Sequence, residues 1–278
     1  MNDPFLFDVR NGLATLGPSL VRIRDLLEAR FLAWADESGA DRMIFAPLMR
    51  VEDLDSLDYF RNFPHLALIV SPIRSDCLTG EYAKGDSTCS IPSEHLSSSQ
   101  YALPSAACYN IYLHMKGSVI DEPRYVTTVA SCFRNEKEYT ALSRLWGFSM
   151  REIVCIGSSE AVQAHLASSK KRVSDFAAEI GLPLEIEVAA DPFYEPQSSR
   201  AVMQKLFPVK EEFVYGGSVA IASTNFHRNF FGERCNIRTA DEQAAFSGCQ
   251  AFGIERWLHA LLTHFKQDTA AIERAISG

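Results

Sequence analysis

Cys132-Phe133-Arg134-Asn135-Glu136, followed after a polar stretch by Arg144-Leu145-Trp146-Gly147-Phe148, is the segment on which the reading of this chain turns. The flanking residues 124–133 and 148–156 are rich in β-branched and aromatic side chains, which suit a pleated, half-buried surface. Residues 135–146 between them are polar and carry no strand pattern. Two such runs with one connection predict an antiparallel hairpin with a long loop.

Working outward, residues 159–180 place Val162, Leu166, Val173, Phe176 and Ile180 on one side of a helix. Gly181 stands where a left-handed helix stop is expected. A strand follows at 184–188, a short helix at 198–206 and another strand at 218–223. A last helix, 251–265, is expected to bury Ile254, Leu258, Leu261, Leu262 and Phe265. Upstream, Leu20, Val21, Ile23, Leu26, Leu27 and Phe31 recur at helical spacing across 18–37. Short apolar strands are predicted at 43–48 and 66–73. Residues 74–100, rich in Ser, Gly, Asp and Thr, read as a long irregular loop and a candidate lid. Strand pairs without regular βαβ alternation predict an α+β fold with a mostly antiparallel sheet flanked by helices, as one domain over 1–278.

Composition sets outer bounds. A chain of 278 residues, 47% of them hydrophobic, can bury a sizeable core. Its longest apolar runs, such as 66–70, are far too short to cross a bilayer. The N-terminus shows no basic segment leading into a long apolar stretch, so a cytoplasmic location without membrane attachment is expected. Seven scattered cysteines point to reduced thiols or metal ligands rather than a disulfide framework. The net charge of −8 argues against a polyphosphate backbone as the main partner. Lys170, Lys171 and Arg172, the densest basic spot, read as the solvated face of a helix.

Taken singly, the polar residues near the hairpin are unremarkable. Arg134 and Glu136 read as an ion pair worth less than about 1 kcal/mol, and Gly253-Ile254-Glu255-Arg256 as an ordinary helix start. In this order, however, they resemble motifs 2 and 3 of the class II aminoacyl-tRNA synthetases. Pro47 resembles the proline of motif 1, which builds the dimer interface in that family. Four further segments narrow the resemblance: Asp58-Tyr59-Phe60-Arg61-Asn62-Phe63-Pro64, Asp191-Pro192-Phe193-Tyr194, Ser223-Thr224-Asn225-Phe226-His227 and Gly248-Cys249-Gln250-Ala251-Phe252-Gly253. These are similar to the amino acid:[carrier protein] ligases, truncated relatives of the archaeal-type seryl-tRNA synthetases, over roughly residues 40–265.

That resemblance implies an α+β class II synthetase-like core without a tRNA-binding domain. It implies activation of a small amino acid, glycine or alanine, by ATP, and its transfer to the phosphopantetheine thiol of an acyl carrier protein. Arg134 is then expected on the α-phosphate and the substrate carboxylate, and Arg256 along the nucleotide near the γ-phosphate and one face of adenine. Phe148 would stack on the other face, Glu136 would accept from the adenine amino group, and Arg144 would add a phosphate contact. Arginines facing a phosphate under attack are the stabilisers this chemistry requires. The family also implies a Zn²⁺ held by two cysteines and a glutamate, here Cys108, Glu152 and Cys249, with an open position for the substrate amino group. Cys132 is the first replacement for either cysteine, whereas Cys155 reads as a packing residue.

The chain departs from the family at one place. The glutamate that precedes Ser-x-x-Asn in the synthetases is missing from Val219-Ala220-Ile221-Ala222-Ser223-Thr224-Asn225. Mg²⁺ is expected with ATP, its protein ligands left open, with Glu211 and Glu212 nearby upstream. Arg200, Lys205 and Lys210 are a candidate surface for an acidic carrier protein. A homodimer is expected. Two other readings stay open, a stand-alone synthetase charging tRNA and a non-catalytic regulatory paralogue.

Overall fold

The computed structural model describes residues 5–78, 82 and 89–278. The hairpin is its spine. Arg124–Phe133 and Gly147–Gly157 pair antiparallel over ten positions, from Arg124↔Ile156 to Phe133↔Gly147. The sheet continues antiparallel through Phe246–Gly253, Val219–Arg228, Lys210–Tyr215 and Glu185–Ala189. Asp41–Arg42 adds in parallel beyond Arg124–Phe133. An N-terminal hairpin, Phe7–Arg10 with Leu13–Leu16, leans on the start of Gly147–Gly157.

Side chains alternate between the faces of a strand, and Gly147–Gly157 shows the result. Ile153 joins the core under helices Pro18–Glu37, Ser159–Glu179 and Ile254–His264, where Phe31 stacks on Phe252 at 3.9 Å and Trp257 is fully buried. Each such side chain contributes on the order of 1.5–3 kcal/mol through removal from water. Val154 and Ile156 face the other way, onto helices Tyr109–His114 and Phe230–Cys235. Those two short helices cover only part of that face.

Several predicted elements sit where the periodicity put them. Pro18–Glu37 is a helix. Ser159–Glu179 is another, its start capped by the Ser158 hydroxyl, which accepts from Ala161 N at 3.2 Å, and Gly181 behind it has φ +69°. Other boundaries move. The strand predicted at 43–48 is absent, that stretch being irregular chain between the two-residue strands Asp41–Arg42 and Met49–Arg50, and of 66–73 only Ile69–Val70 is a strand. The last long helix starts at Ile254, because Phe246–Gly253 is a central strand. The expected loop 74–100 holds short helical turns at Ser75–Cys77 and Ser93–His95. The rest of the lid reading, at 79–81 and 83–88, lies outside the described residues.

A buried network fixes the strand that carries Glu152. Arg151, on the helix side, pairs with Glu28 at 2.6 Å and donates to Thr127 Oγ1 at 3.0 Å; that hydroxyl donates to Glu152 O at 2.9 Å. Removing one partner strands a buried charge. Glu28→Ala is therefore expected to destabilise the fold by about 3–5 kcal/mol, measured by denaturant unfolding. A loss below about 1 kcal/mol would show that the pair is solvated.

Candidate active site

The incompletely covered face carries polar residues in rows set by strand register. Lys210, Asn225, Cys249, Val154 and Val126 form one row; Glu212, Ser223, Ala251, Glu152 and Thr128 form the next. Cys249 and Glu152 are thus diagonal neighbours on adjacent strands. Cys108 comes from elsewhere, at the mouth of helix Tyr109–His114. It is brought in by Glu152 itself, whose Oε1 accepts from the backbone N–H groups of Ala107 at 2.9 Å and Cys108 at 3.3 Å.

Cys108, Glu152 and Cys249 converge, each buried, with their ligating atoms all within 4.8 Å of one another. Glu152 Oε2 is buried and has no hydrogen-bond partner among the described residues. The Cys108 thiol is pushed well up by its contact with Cys249, by burial and by the Glu152 charge. The contact with Cys108 pulls the Cys249 thiol down, yet burial and Glu152 leave it raised too. Such a crowd of acidic groups suits a bound cation. Asn225 Nδ2 donates to Cys249 Sγ at 3.4 Å, and His227 Nε2 lies 3.7 Å from the same sulfur. Burial lowers His227 to about 4, so its ring is neutral, with Tyr112 Oη 3.1 Å from Nδ1.

Cys132 shares this face, in register with Phe148, but stands outside the cluster; Cys155 lies on the opposite face, in register with Tyr125.

Beside the cluster runs an open cleft, about 650 Å³ including its mouth, lined by Arg134, Glu136, Phe148, Glu212 and Arg256 among others. The Arg134 guanidinium sits 5.1 Å from the Phe148 ring centroid and donates to Ser105 O at 3.2 Å. Arg256 donates to Ser143 O at 3.0 Å and to Ala220 O at 3.1 Å, which holds it across the cleft. Burial lowers its pKa first and the nearby Arg134 charge second. Two guanidiniums facing one cavity prepare it for an anion. Glu255 anchors the helix start, accepting from Ser149 N at 2.8 Å.

Arg144 is exposed on the hairpin loop and does not line this cleft, although its charge reaches Arg256. Strand alternation resolves the neighbouring glutamates: Glu212 faces the cleft and takes Lys210 Nζ at 2.9 Å, while Glu211 points away to Lys170 at 2.7 Å.

A larger cavity, about 1670 Å³ including its open mouth, adjoins the first and contains the cluster. Arg134, Met150, Lys210, Ser223 and Ala251 line both. The outer wall joins two of the quoted segments: Tyr194 N donates to Asn62 O at 2.9 Å, and Phe63 stacks on Phe193 at 5.2 Å.

The basic trio at 200–210 does not form one surface. Arg200 lies over the Phe230 ring at 3.6 Å and near Asp58 at 3.9 Å, and Lys210 is drawn inward between Asp191 and Glu212. Lys205 alone of the three is exposed.

Residues 94–265 match the family described as the tRNA synthetase class II core domain (G, H, P, S and T). Amino acid–[acyl-carrier-protein] ligase 2 of Bradyrhizobium diazoefficiens is 32% identical over 248 residues, covering 84% of this chain and 72% of the relative. Ligase 1 of the same organism is 30% identical over 249 residues, covering 84% and 74%. The chain belongs to the amino acid–[acyl-carrier-protein] ligase family. The ligase is also 24% identical over 253 residues to the type-2 serine–tRNA ligase of Methanococcus aeolicus, of which it spans 48%. In fold it resembles the Methanopyrus kandleri seryl-tRNA synthetase solved with a tRNA from A. aeolicus, with a TM-score of 0.79 at 20% identity over 97% of the ligase and 57% of that chain. The sheet and its helices are those of a class II synthetase core.

Sequence alone gives Tyr59 and His227 no role beyond membership of quoted segments, and it places Lys210 on a candidate docking surface rather than in the site. A lysine opening a charged strand or a tyrosine in an aromatic run carries no local signal. Only register and packing bring them to the cavity.

Proposed function

We propose that this ligase activates a small α-amino acid, glycine or alanine, with ATP and transfers it to the phosphopantetheine thiol of an acyl carrier protein. The carrying observation is the pair of adjoining cavities, one holding the Cys108–Glu152–Cys249 cluster and one crossed by Arg134 and Arg256, with Arg134 lining both. The names of the Bradyrhizobium relatives supply the carrier.

In this reading ATP occupies the smaller cleft, its adenine against Phe148 and within reach of Glu136, its phosphates between Arg134 and Arg256. A substrate carboxylate oxygen attacks the α-phosphorus, pyrophosphate leaves, and an aminoacyl-adenylate forms. The thiol then attacks its carbonyl carbon and AMP leaves. Arg134 holds the carboxylate during the first step, and both guanidiniums meet the charge that builds on the phosphate. Two thiolates and a carboxylate fit Zn²⁺, and Glu152 Oε2 is a buried oxygen awaiting a partner. Cys108, Glu152 and Cys249 would hold that ion, which supplies a Lewis-acid seat for the substrate amino group. Glu212 is the cleft carboxylate assigned to Mg²⁺, in register with Ser223 where the synthetase glutamate is missing. Two copies are taken to pair beside Asp41–Arg42, where Ile44 is 94% exposed.

The test is amino-acid-dependent ATP–pyrophosphate exchange across the twenty amino acids, with and without a chelator. Glycine or alanine should give the strongest exchange, chelation should abolish it, and Zn²⁺ should restore it. A one-methyl difference discriminates by only about 1–3 kcal/mol, so both are expected to react. Labelled transfer to a phosphopantetheinylated carrier rather than to tRNA separates this activity from tRNA charging. No exchange with any amino acid removes the reading.

A further inference from the structure

The segment Asp58-Tyr59-Phe60-Arg61-Asn62-Phe63-Pro64 helps to wall the larger cavity, but Tyr59 within it has no chemical role so far. Asp58 adopts a left-handed conformation, φ +56°, which aspartate enters more readily than most residues but less readily than glycine. It is locked there by Arg234 on its carboxylate and by Asn62, whose backbone N–H and side-chain amide both donate to Asp58 O, at 3.0 and 2.9 Å. This turn presents Tyr59 inward. Its ring contacts Phe60, Phe63 and Tyr109 at centroid distances of 5.6–6.0 Å.

Tyr59 is 3% exposed and lines the larger cavity together with Ser105 and Arg134. Its hydroxyl is buried and meets no described residue in good hydrogen-bond geometry, the Ser105 side chain making only a marginal contact with it. Ser105 and the Arg134 charge are near enough to favour the ionised phenol, but burial outweighs both and keeps it a donor. A buried hydroxyl left unpaired costs stability, and such groups are scarce in folded proteins. Here the buried O–H belongs to a residue that lines the larger cavity and lies within reach of the guanidinium shared by both cavities.

We propose that the Tyr59 hydroxyl is a second donor to the carboxylate of the amino-acid substrate, beside Arg134, and stays on the carbonyl end once the adenylate forms. The assignment rests on the activation reading above. It makes Tyr59 a binding residue for the end of the substrate that reacts.

Tyr59→Phe removes one oxygen and leaves the ring. In pyrophosphate exchange the KM for the amino acid should rise about tenfold, as expected for loss of a hydrogen bond to a charged group, while the KM for ATP changes less than about twofold. Inhibition by an amine of the same carbon skeleton lacking the carboxylate should be equal in wild type and variant. The melting temperature of the ligand-free variant should be equal or higher, since a poorly paired buried group is gone, and its zinc content unchanged. An unchanged amino-acid KM, an equal loss against the carboxylate-free amine, or a defect confined to thiol transfer overturns the proposal. Absence of exchange in the wild-type protein overturns instead the reading beneath it.

Discussion

Cys249→Ala is expected to leave the protein folded but nearly free of zinc and inactive in exchange. Wild-type protein purified without chelator should hold about one Zn²⁺ per chain, the stoichiometry of a single three-ligand site. The variant should fall below about a tenth of that after dialysis, because two remaining protein ligands do not hold the ion. Cys249 lies in the middle of the sheet, flanked by Asn225 and Val154, so truncating its sulfur leaves the strand pairing intact. The controls give the test its edge. Cys132→Ala alters a buried cysteine on the same face, and Cys155→Ala one on the opposite face. Both should keep their metal, as neither belongs to the converging trio. Metal analysis showing that Cys132→Ala loses zinc while Cys249→Ala retains it would replace one ligand assignment with the other.

Arg134→Ala and Arg256→Ala should each lower exchange by about 10²–10³-fold, the range seen when one preorganised donor is removed from a developing charge. Their kinetic signatures should differ. Arg256 lines only the smaller cleft, so its loss should act through ATP. Arg134 lines both cavities, so its loss should weaken the amino acid as well as ATP. Arg144→Ala, altering an exposed side chain outside the cleft lining, should cost less than about fivefold. Steady-state exchange with each substrate varied in turn decides the matter. Equal, ATP-only effects from all three arginines would mean that Arg134 does not bridge the cavities.

Much of this fold was legible because long amphipathic helices and a long hairpin announce themselves over many residues. Pro18–Glu37 and Ser159–Glu179 bury the side chains that their spacing implied, among them Leu20, Phe31, Val173 and Phe176. Some short pieces were legible too, the strand at 184–188 and the helix at 198–206 standing as Glu185–Ala189 and Ser199–Leu206, but others were not. Lys210–Tyr215 is a strand beginning Lys-Glu-Glu, charged because two of those side chains reach the cleft and one reaches Lys170. Phe246–Gly253 is buried on both faces, so it carries no alternation and blurs into the helix that follows. The small helices Tyr109–His114, Phe230–Cys235 and Thr269–Ser277 are too brief for a periodic pattern.

The candidate site divides in the same way. Arg134, Glu136, Phe148 and Arg256 could be picked out because they stand in a recognisable order within motifs. Cys108, Glu152 and Cys249 lie 44 and 97 residues apart along the chain, and family resemblance alone joined them before the register of the sheet did. Tyr59 stands in a segment that carried the resemblance, but its own role rests on a buried hydroxyl that only packing reveals. The basic trio misled because charge was counted along the chain, whereas Arg200 and Lys210 are engaged with aromatic and acidic neighbours.

The two polar rows also act as a ruler. One ends its reach at a thiol, the other at carboxylate and hydroxyl groups, and their separation is the fixed pitch of a pleated sheet rather than the span of a movable loop. In the proposed reaction a molecule held at its amine between Cys249 and Glu152, one from each row, must offer its reactive oxygen to Arg134, just past the end of the neighbouring strand, at a distance the sheet sets. Inserting one extra carbon between those ends would overshoot by about 1 Å, a misplacement able to cost some 10²-fold in rate. If the chain activates amino acids as proposed, this spacing is expected to favour α- over β-amino acids, which exchange assays with glycine and β-alanine would check.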